Sequence, residues 1–243
     1  MTPPPVLEIR DLRKSYDGKV AVDGLSLSVL PGEVFGVLGP NGAGKTTTVE
    51  CAAGLRRPDS GTVRVLGLDP STDPAEVRQR VGVQLQSAVL PKRMKVREAV
   101  AVFSCGYRQP ADADRLLDEW GLTDRRGAAF GSLSGGQQQR LFIVLALLGR
   151  PEVVVLDEVS TGLDPAARRD TWALVRRLRT RGVTVVLVTH AMDEAEALCD
   201  RIAVIARGRI VAEGTPDEVR GAYRTLEDAY LELTTGAAAE PAR

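Results

Sequence analysis

Eight consecutive residues, Gly39-Pro40-Asn41-Gly42-Ala43-Gly44-Lys45-Thr46, have the composition and spacing of a loop that closes around phosphate. Glycines let such a loop curl until successive backbone N–H groups point inward, and the start of the following helix adds its positive end. Each side chain then has a task. Lys45 would hold the β- and γ-phosphates of a nucleoside triphosphate, Thr46 would ligate Mg2+, and Thr47 would join the loop's contacts to the nucleotide. The apolar stretch 34–38 directly upstream is the strand that this loop has to follow.

Residues 153–156 are four apolar positions that end in two acids, Asp157 and Glu158. In open α/β sheets ligands sit at the carboxyl ends of strands, so this pair stands where chemistry is done. Asp157 is placed to bind Mg2+ through water, and Glu158 to polarise the attacking water as general base. Taken alone, the two acids fit a solvated strand end equally well, and the phosphate loop upstream decides between the readings. His190, the one histidine of the chain, follows the apolar run 183–188 and reaches the same sheet edge. Ser134 can cap a helix whose first residues are Gly135 and Gly136, so that a hydroxyl, bare N–H groups and a helix N-terminus face outward together.

With the two preceding motifs, Leu133-Ser134-Gly135-Gly136-Gln137-Gln138-Gln139-Arg140 resembles the signature of the ABC ATPase family, and the resemblance extends in order over nearly the whole chain. It implies that ATP is gripped between Lys45 and its loop in one copy and Ser134, Gly135, Gly136 and Gln137 in a second, head-to-tail copy. Tyr16 matches the family's adenine-stacking aromatic, and His190 its switch histidine at the γ-phosphate. Gln86 matches the glutamine that reaches Mg2+ and the attacking water, with Gln84 as a neighbouring rival. Asp164, in Ser160-Thr161-Gly162-Leu163-Asp164, matches the key acid of the loop through which two subunits sense each other. The family usually has Pro after the catalytic Glu, where this chain has Val159.

The elements that must position these residues can be read coarsely. Residues 1–33 read as an antiparallel β lobe, with alternation at 6–9 and 25–29 and a tight turn at Asp17-Gly18. Continuous β-branched runs at 34–38, 153–156, 183–188 and 202–205 suit parallel strands covered on both faces. The expected fold is an α/β P-loop NTPase core, a mostly parallel sheet flanked by helices, over 34–91 and 150–215, interrupted by a helical subdomain over 92–149 that carries the signature. Residues 216–243 read as short C-terminal helices and a frayed tail, all within one ABC ATPase domain.

Length and composition bound the function. At 243 residues with 44% hydrophobic side chains, one large domain can bury a full core, and two would be crowded. Lys plus Arg equals Asp plus Glu at 32 each, so no long-range positive field gathers nucleic acid. Three widely spaced cysteines suit buried free thiols in a reducing cytosol. The N-terminus lacks a secretory signal, and the longest apolar run, 141–148, is far short of the roughly 20 residues that cross a bilayer. The resemblance therefore implies a separate transmembrane permease, docked along residues from Gln86 to about Tyr107, with this chain cytoplasmic and peripheral on the inner membrane face. The ending 225–234 resembles that of ATPase subunits of ABC-2-type exporters, the drug and antibiotic efflux group. A soluble ABC-family ATPase in a non-transport role is the alternative; its translation and repair forms carry a second cassette or long inserts that this chain lacks.

Overall fold

The computed structural model describes residues 3–85 and 88–236. Strands β1 (Leu7–Tyr16) and β2 (Lys19–Val29) form a hairpin over Asp17 and Gly18, both at positive φ (48° and 80°). An Asp-Gly pair suits that two-residue turn, because glycine has no penalty there and aspartate tolerates it. The third strand of this antiparallel sheet, β4 (Ser60–Val65), comes from beyond the phosphate loop and pairs with the other edge of β1.

The second sheet has six strands: β3 (Val34–Leu38), β5 (Val81–Gln84), β6 (Val153–Asp157), β7 (Thr184–Thr189), β8 (Arg201–Ala206) and β9 (Arg209–Gly214). Their order is β5-β6-β7-β3-β8-β9, parallel throughout except for the β8–β9 hairpin. β3, β6 and β7 are buried at every position because both faces are covered. Val34, Val154 and Leu156 pack into one core with the helices, while Phe35, Val37, Val153 and Val155 pack into another between the two sheets. Each such fully buried Val, Leu or Phe stabilises the fold by about 1.5–3 kcal/mol relative to exposure.

Helix α1 (Lys45–Ala52) follows β3, and α2 (Pro74–Arg80) precedes β5. Between β5 and β6 the chain leaves the sheet for α3 (Val96–Ser104), α4 (Ala113–Glu119), two single 3-10 turns, and α5 (Gly135–Leu147). Then α6 (Pro165–Thr180) links β6 to β7, and α7 (Met192–Leu198) links β7 to β8. Two short helices, α8 (Pro216–Arg220) and α9 (Leu226–Gly236), follow β9, and α9 buries Leu226 and Ala229.

One expectation is corrected. All three cysteines are free, and Cys51 and Cys199 are buried, but Cys105 is exposed. It sits just past the last turn of α3, where its thiol donates only to the Ala101 carbonyl at 3.2 Å. Burial pushes the Cys51 thiol up to about 11 and that of Cys199 further in the same direction.

Candidate functional site

The loop between β3 and α1 is shaped by two glycines, Gly39 and Gly44, that leave no room for a Cβ. A Cβ at Gly39 would run into the Ile205 carbonyl oxygen, and one at Gly44 (φ 104°) into that of Ala21. The loop thus lies directly against β8 and β2, and within it the Ala43 N–H turns back to the Pro40 carbonyl at 3.2 Å. Lys45 is buried, and its ammonium donates to the carbonyls of Gly39 at 2.6 Å and Pro40 at 3.0 Å, so it closes the loop from within. Burial pushes the Lys45 ammonium below the ordinary lysine range, while the charges of Glu158 and Asp157 pull it back up.

Strand order brings the remaining groups to that loop. β6, β7 and β3 are consecutive neighbours, so the residues at their carboxyl ends share one edge. Glu158, just past β6, has a left-handed backbone (φ 53°), a conformation uncommon for a non-glycine residue. Its N–H donates to the Val188 carbonyl at 2.9 Å, which ties the turn to β7. His190 Nδ1 lies 3.0 Å from Glu158 Oε1, and Thr161 Oγ1 lies 3.4 Å from Oε2. Val159 is fully buried in the helix-side core, so an apolar side chain packs where the family's proline would stand.

Gln84, weighed from the sequence as a rival to Gln86, has a different place. Buried at the end of β5, its Oε1 accepts the Asp157 N–H at 3.0 Å and its amide donates to the Leu85 carbonyl at 3.1 Å. It props the strand end that carries the acid pair. Gln86 lies outside the described residues.

A cleft of about 460 Å³ opens at this edge, lined by Tyr16, Lys19, Val20, Ala21, Asn41, Gly42, Gly44, Lys45, Thr46, Thr47, Asp157 and Glu158. Lys19, Val20 and Ala21 were not singled out from the sequence. Their only signal is adjacency to Tyr16 across the Asp17-Gly18 turn. The Tyr16 ring has the Lys14 ammonium 5.5 Å and the Arg56 guanidinium 5.3 Å from its centroid.

The signature residues do not line this cleft. Ser134 caps α5, accepting the Gln137 N–H at 3.3 Å while its own N–H donates to Gln137 Oε1 at 3.1 Å. Asp164 caps α6 by accepting the N–H groups of Ala166 and Ala167, both at 3.0 Å, and these bonds hold its carboxyl below the usual range. The two helix starts are neighbours, since a Cβ at Gly136 would fall 3.6 Å from Leu163 and 3.7 Å from Ala167.

A glycine-lined loop between strand and helix, at the ligand edge of a mostly parallel sheet, defines the P-loop nucleoside-triphosphatase class. The model of the family described as ABC transporter matches residues 22–161. Over 215 residues the chain is 46% identical to Nod factor export ATP-binding protein I of Burkholderia orbicola (strain AU 1054), covering 86% of this chain and 71% of that protein. Over 223 residues it is 44% identical to daunorubicin/doxorubicin resistance ATP-binding protein DrrA of Streptomyces peucetius, covering 90% and 68%. A solved structure described as the ATP binding subunit of an ABC transporter superposes with a TM-score of 0.85 at 28% identity, over 94% of this chain and 99% of that one. The chain therefore belongs to the ABC transporter family, as an ATP-binding, ATP-hydrolysing subunit that works with a separate membrane partner. No helix among the described residues is long and apolar enough to cross a membrane.

Proposed function

We propose that this chain, as a single ABC ATPase domain, is the motor of an exporter, and that two copies close head-to-tail on two ATP molecules. One copy's phosphate loop and the other's Ser134-Gly135-Gly136 helix start grip each ATP. The observation that carries this reading is the room around the signature glycines. A Cβ at Gly135 would meet nothing within 4 Å, and one at Gly136 only ordinary van der Waals neighbours. The fold of one chain does not demand glycine there, so the demand comes from something outside the chain that approaches the α5 N-terminus closely. An anion suits that position, because the helix start presents unpaired N–H groups and a positive dipole end.

Tyr16 stacks on the base, and the N–H groups of Gly39 and of the loop from Asn41 to Thr47, with Lys45, hold the phosphates, Pro40 having no N–H to offer. Glu158 takes a proton from the water that attacks the γ-phosphorus, and His190 holds Glu158 and the γ-phosphate in place. ATP and water become ADP and phosphate. The phosphate bridge between copies is then broken, and the pair reopens because closure depended on contacts to the intact triphosphate. The Thr46 hydroxyl and Asp157 carboxylate are hard oxygen donors of the kind Mg2+ takes one or two of, and they would hold Mg2+, with Gln86, where it would neutralise phosphate charge. Gln86 and Asp164 carry the state of the site to the permease and to the second copy.

The names of the two relatives, for Nod factor export and for daunorubicin/doxorubicin resistance, support export of a drug, antibiotic or other small hydrophobic compound. An apolar cleft lined by Val89, Leu90, Phe103, Tyr107 and Phe142, with Val89 and Phe103 exposed, suits the permease contact and holds the chain to the inner membrane face.

The test is purification of the chain with its membrane partner and measurement of phosphate release with Mg2+ and ATP, together with disulfide trapping between Ser134→Cys and Gly42→Cys. Expected are partner-stimulated hydrolysis and an intermolecular crosslink that needs ATP. No hydrolysis with or without the partner, and no crosslink with nucleotide, would overturn the reading.

A further inference from the structure

Helices α6 and α7 both begin at the catalytic edge, α6 after the loop that leaves Glu158 and α7 immediately after His190 and Ala191. Side chains one and then two turns apart on a single face of α6 join it to α7 and to the residues just past α7. Arg168 Nη1 lies 2.8 Å from Asp193 Oδ2, Trp172 Nε1 donates to Glu194 Oε1 at 2.9 Å, and Arg179 Nη2 donates to Asp200 Oδ1 at 2.5 Å. The members of this row are not equivalent. The two arginine pairs are partly exposed, with side-chain exposures of 36% and 52% for the first and 52% and 30% for the second, so water competes for them. Glu194 is 1% exposed and sits in the first turn of α7. The Trp172 indole that it meets is half-buried, so their bond is the most shielded of the three, and losing the indole would strand a buried carboxylate.

His190 needs such a support. Its side chain is 50% exposed, so packing does not hold the ring, and among the described residues its side-chain hydrogen-bond partner is Glu158, 3.0 Å away. The position of the imidazole is therefore set by the backbone between β7 and α7. That backbone is anchored where α7 is locked to α6, and α6 in turn begins at Asp164, the end of the loop that starts with Glu158. Indole N–H and carboxylate thus close a ring of structure from Glu158 through α6, across to α7, and back to His190.

We infer that the Trp172–Glu194 hydrogen bond is a positioning pair for hydrolysis, holding His190 in register with Glu158. Neither residue touches ATP. The inference rests on the ATPase reading of the site and adds to it a support that none of the sequence motifs contains. Misplacing a catalytic group by a fraction of an ångström to an ångström costs about ten- to a hundred-fold in rate.

Steady-state ATP hydrolysis and thermal unfolding of the full chain with its membrane partner test this with Glu194→Gln, Trp172→Phe, Glu194→Met and the double variant Trp172→Phe/Glu194→Met. Glu194→Gln keeps an acceptor for the indole and is expected to keep kcat. Each of the other single variants is expected to lose roughly ten-fold or more in kcat with KM for ATP unchanged. The double variant removes both polar ends, so its unfolding temperature recovers towards that of the wild type while kcat stays low. Recovery of kcat together with stability would show that the pair matters only for folding, and would overturn the inference. So would a change confined to KM, or a Glu194→Gln variant as slow as Glu194→Met. Wild-type turnover beside unimpaired variants removes this inference alone, whereas a wild-type complex that never hydrolyses ATP removes the ATPase reading with it.

Discussion

His190 Nδ1 and Glu158 Oε1 stand 3.0 Å apart although 32 residues separate them, because β6 and β7 are adjacent parallel strands that end at the same level. The carboxylate has one oxygen against the imidazole and the other within reach of the Thr161 hydroxyl, so its orientation is held before substrate arrives. Glu158→Gln keeps the shape and the acceptor while removing the basic oxygen pair. We expect ATP binding to persist, kcat to fall by about 10²–10⁴-fold, and a closed dimer to accumulate. Phosphate release and light scattering with Mg2+ and ATP measure this, and wild-type turnover by the variant would remove Glu158 as the base.

Gln84 offers a prediction about stability. The Asp157 N–H is buried and donates to Gln84 Oε1, so Gln84→Leu takes that acceptor away. An unsatisfied buried donor costs about 1–3 kcal/mol, which for a chain of this size lowers the unfolding midpoint by roughly 2–4 °C per kcal/mol. ATP-dependent stabilisation should also weaken, because the shifted strand end carries Asp157. An unchanged midpoint in calorimetry would show that Gln84 supports nothing.

What could be read from residues alone differed from element to element for physical reasons. β3, β6 and β7 were legible because strands covered on both faces need continuous apolar runs, and the phosphate loop because its glycines and Lys45-Thr46 form one contiguous pattern, although the steric demands on Gly39 and Gly44 come from distant Ile205 and Ala21. β4 was not: Ser60–Val65 has three exposed positions at its start, and its partner β1 lies some fifty residues away. Gln84 was legible only as a rival to Gln86, not as a support for the acid pair. Its side chain matters through the β5–β6 register that sets it against Leu156, and register is a tertiary fact. Glu158 at φ 53° is hidden for the same reason, since nothing in Asp-Glu-Val predicts a left-handed turn. Trp172 and Glu194 each fit an ordinary amphipathic helix until α6 and α7 are laid side by side.

Asp23 yields a dependence on pH. Arg209 Nη2 donates to its carboxylate at 2.5 Å and Arg13 pairs with its other oxygen, which links β1 and β9 to β2. These bonds, that from Arg209 foremost, hold the Asp23 carboxyl below the usual range. A group whose pKa is lower folded than unfolded adds stability above its unfolded value, near 3.9, and loses it as pH falls through the folded one. Asp23→Asn should thus be less stable than wild type near neutral pH, by on the order of 1 kcal/mol or less because solvent screens the pair, and the gap should close below ~4. Urea midpoints measured for both chains at neutral and acid pH test the sign. A gap that widens in acid would contradict it.

Gly44 and Gly135 separate what the fold requires from what a second copy requires. At Gly44 a Cβ collides with the Ala21 carbonyl and the backbone sits at φ 104°, so Gly44→Ala strains the loop and should lower both the unfolding midpoint and ATP binding. At Gly135 a Cβ meets nothing in its own chain, and alanine in place of glycine in a helix stabilises by roughly 0.5–1 kcal/mol. Gly135→Ala should therefore fold at least as well as the wild type and bind ATP at the phosphate loop unaltered. Hydrolysis should nevertheless collapse, because the added methyl stands where the partner's triphosphate must approach the α5 N–H groups. Mixing Gly135→Ala with Lys45→Ala chains sharpens the argument: a head-to-tail pair of the two has one composite site with both defects and one with neither, so activity should partly return. Full activity of Gly135→Ala by itself would mean that nothing approaches α5 closely, and the two-sided grip on ATP would have to be abandoned.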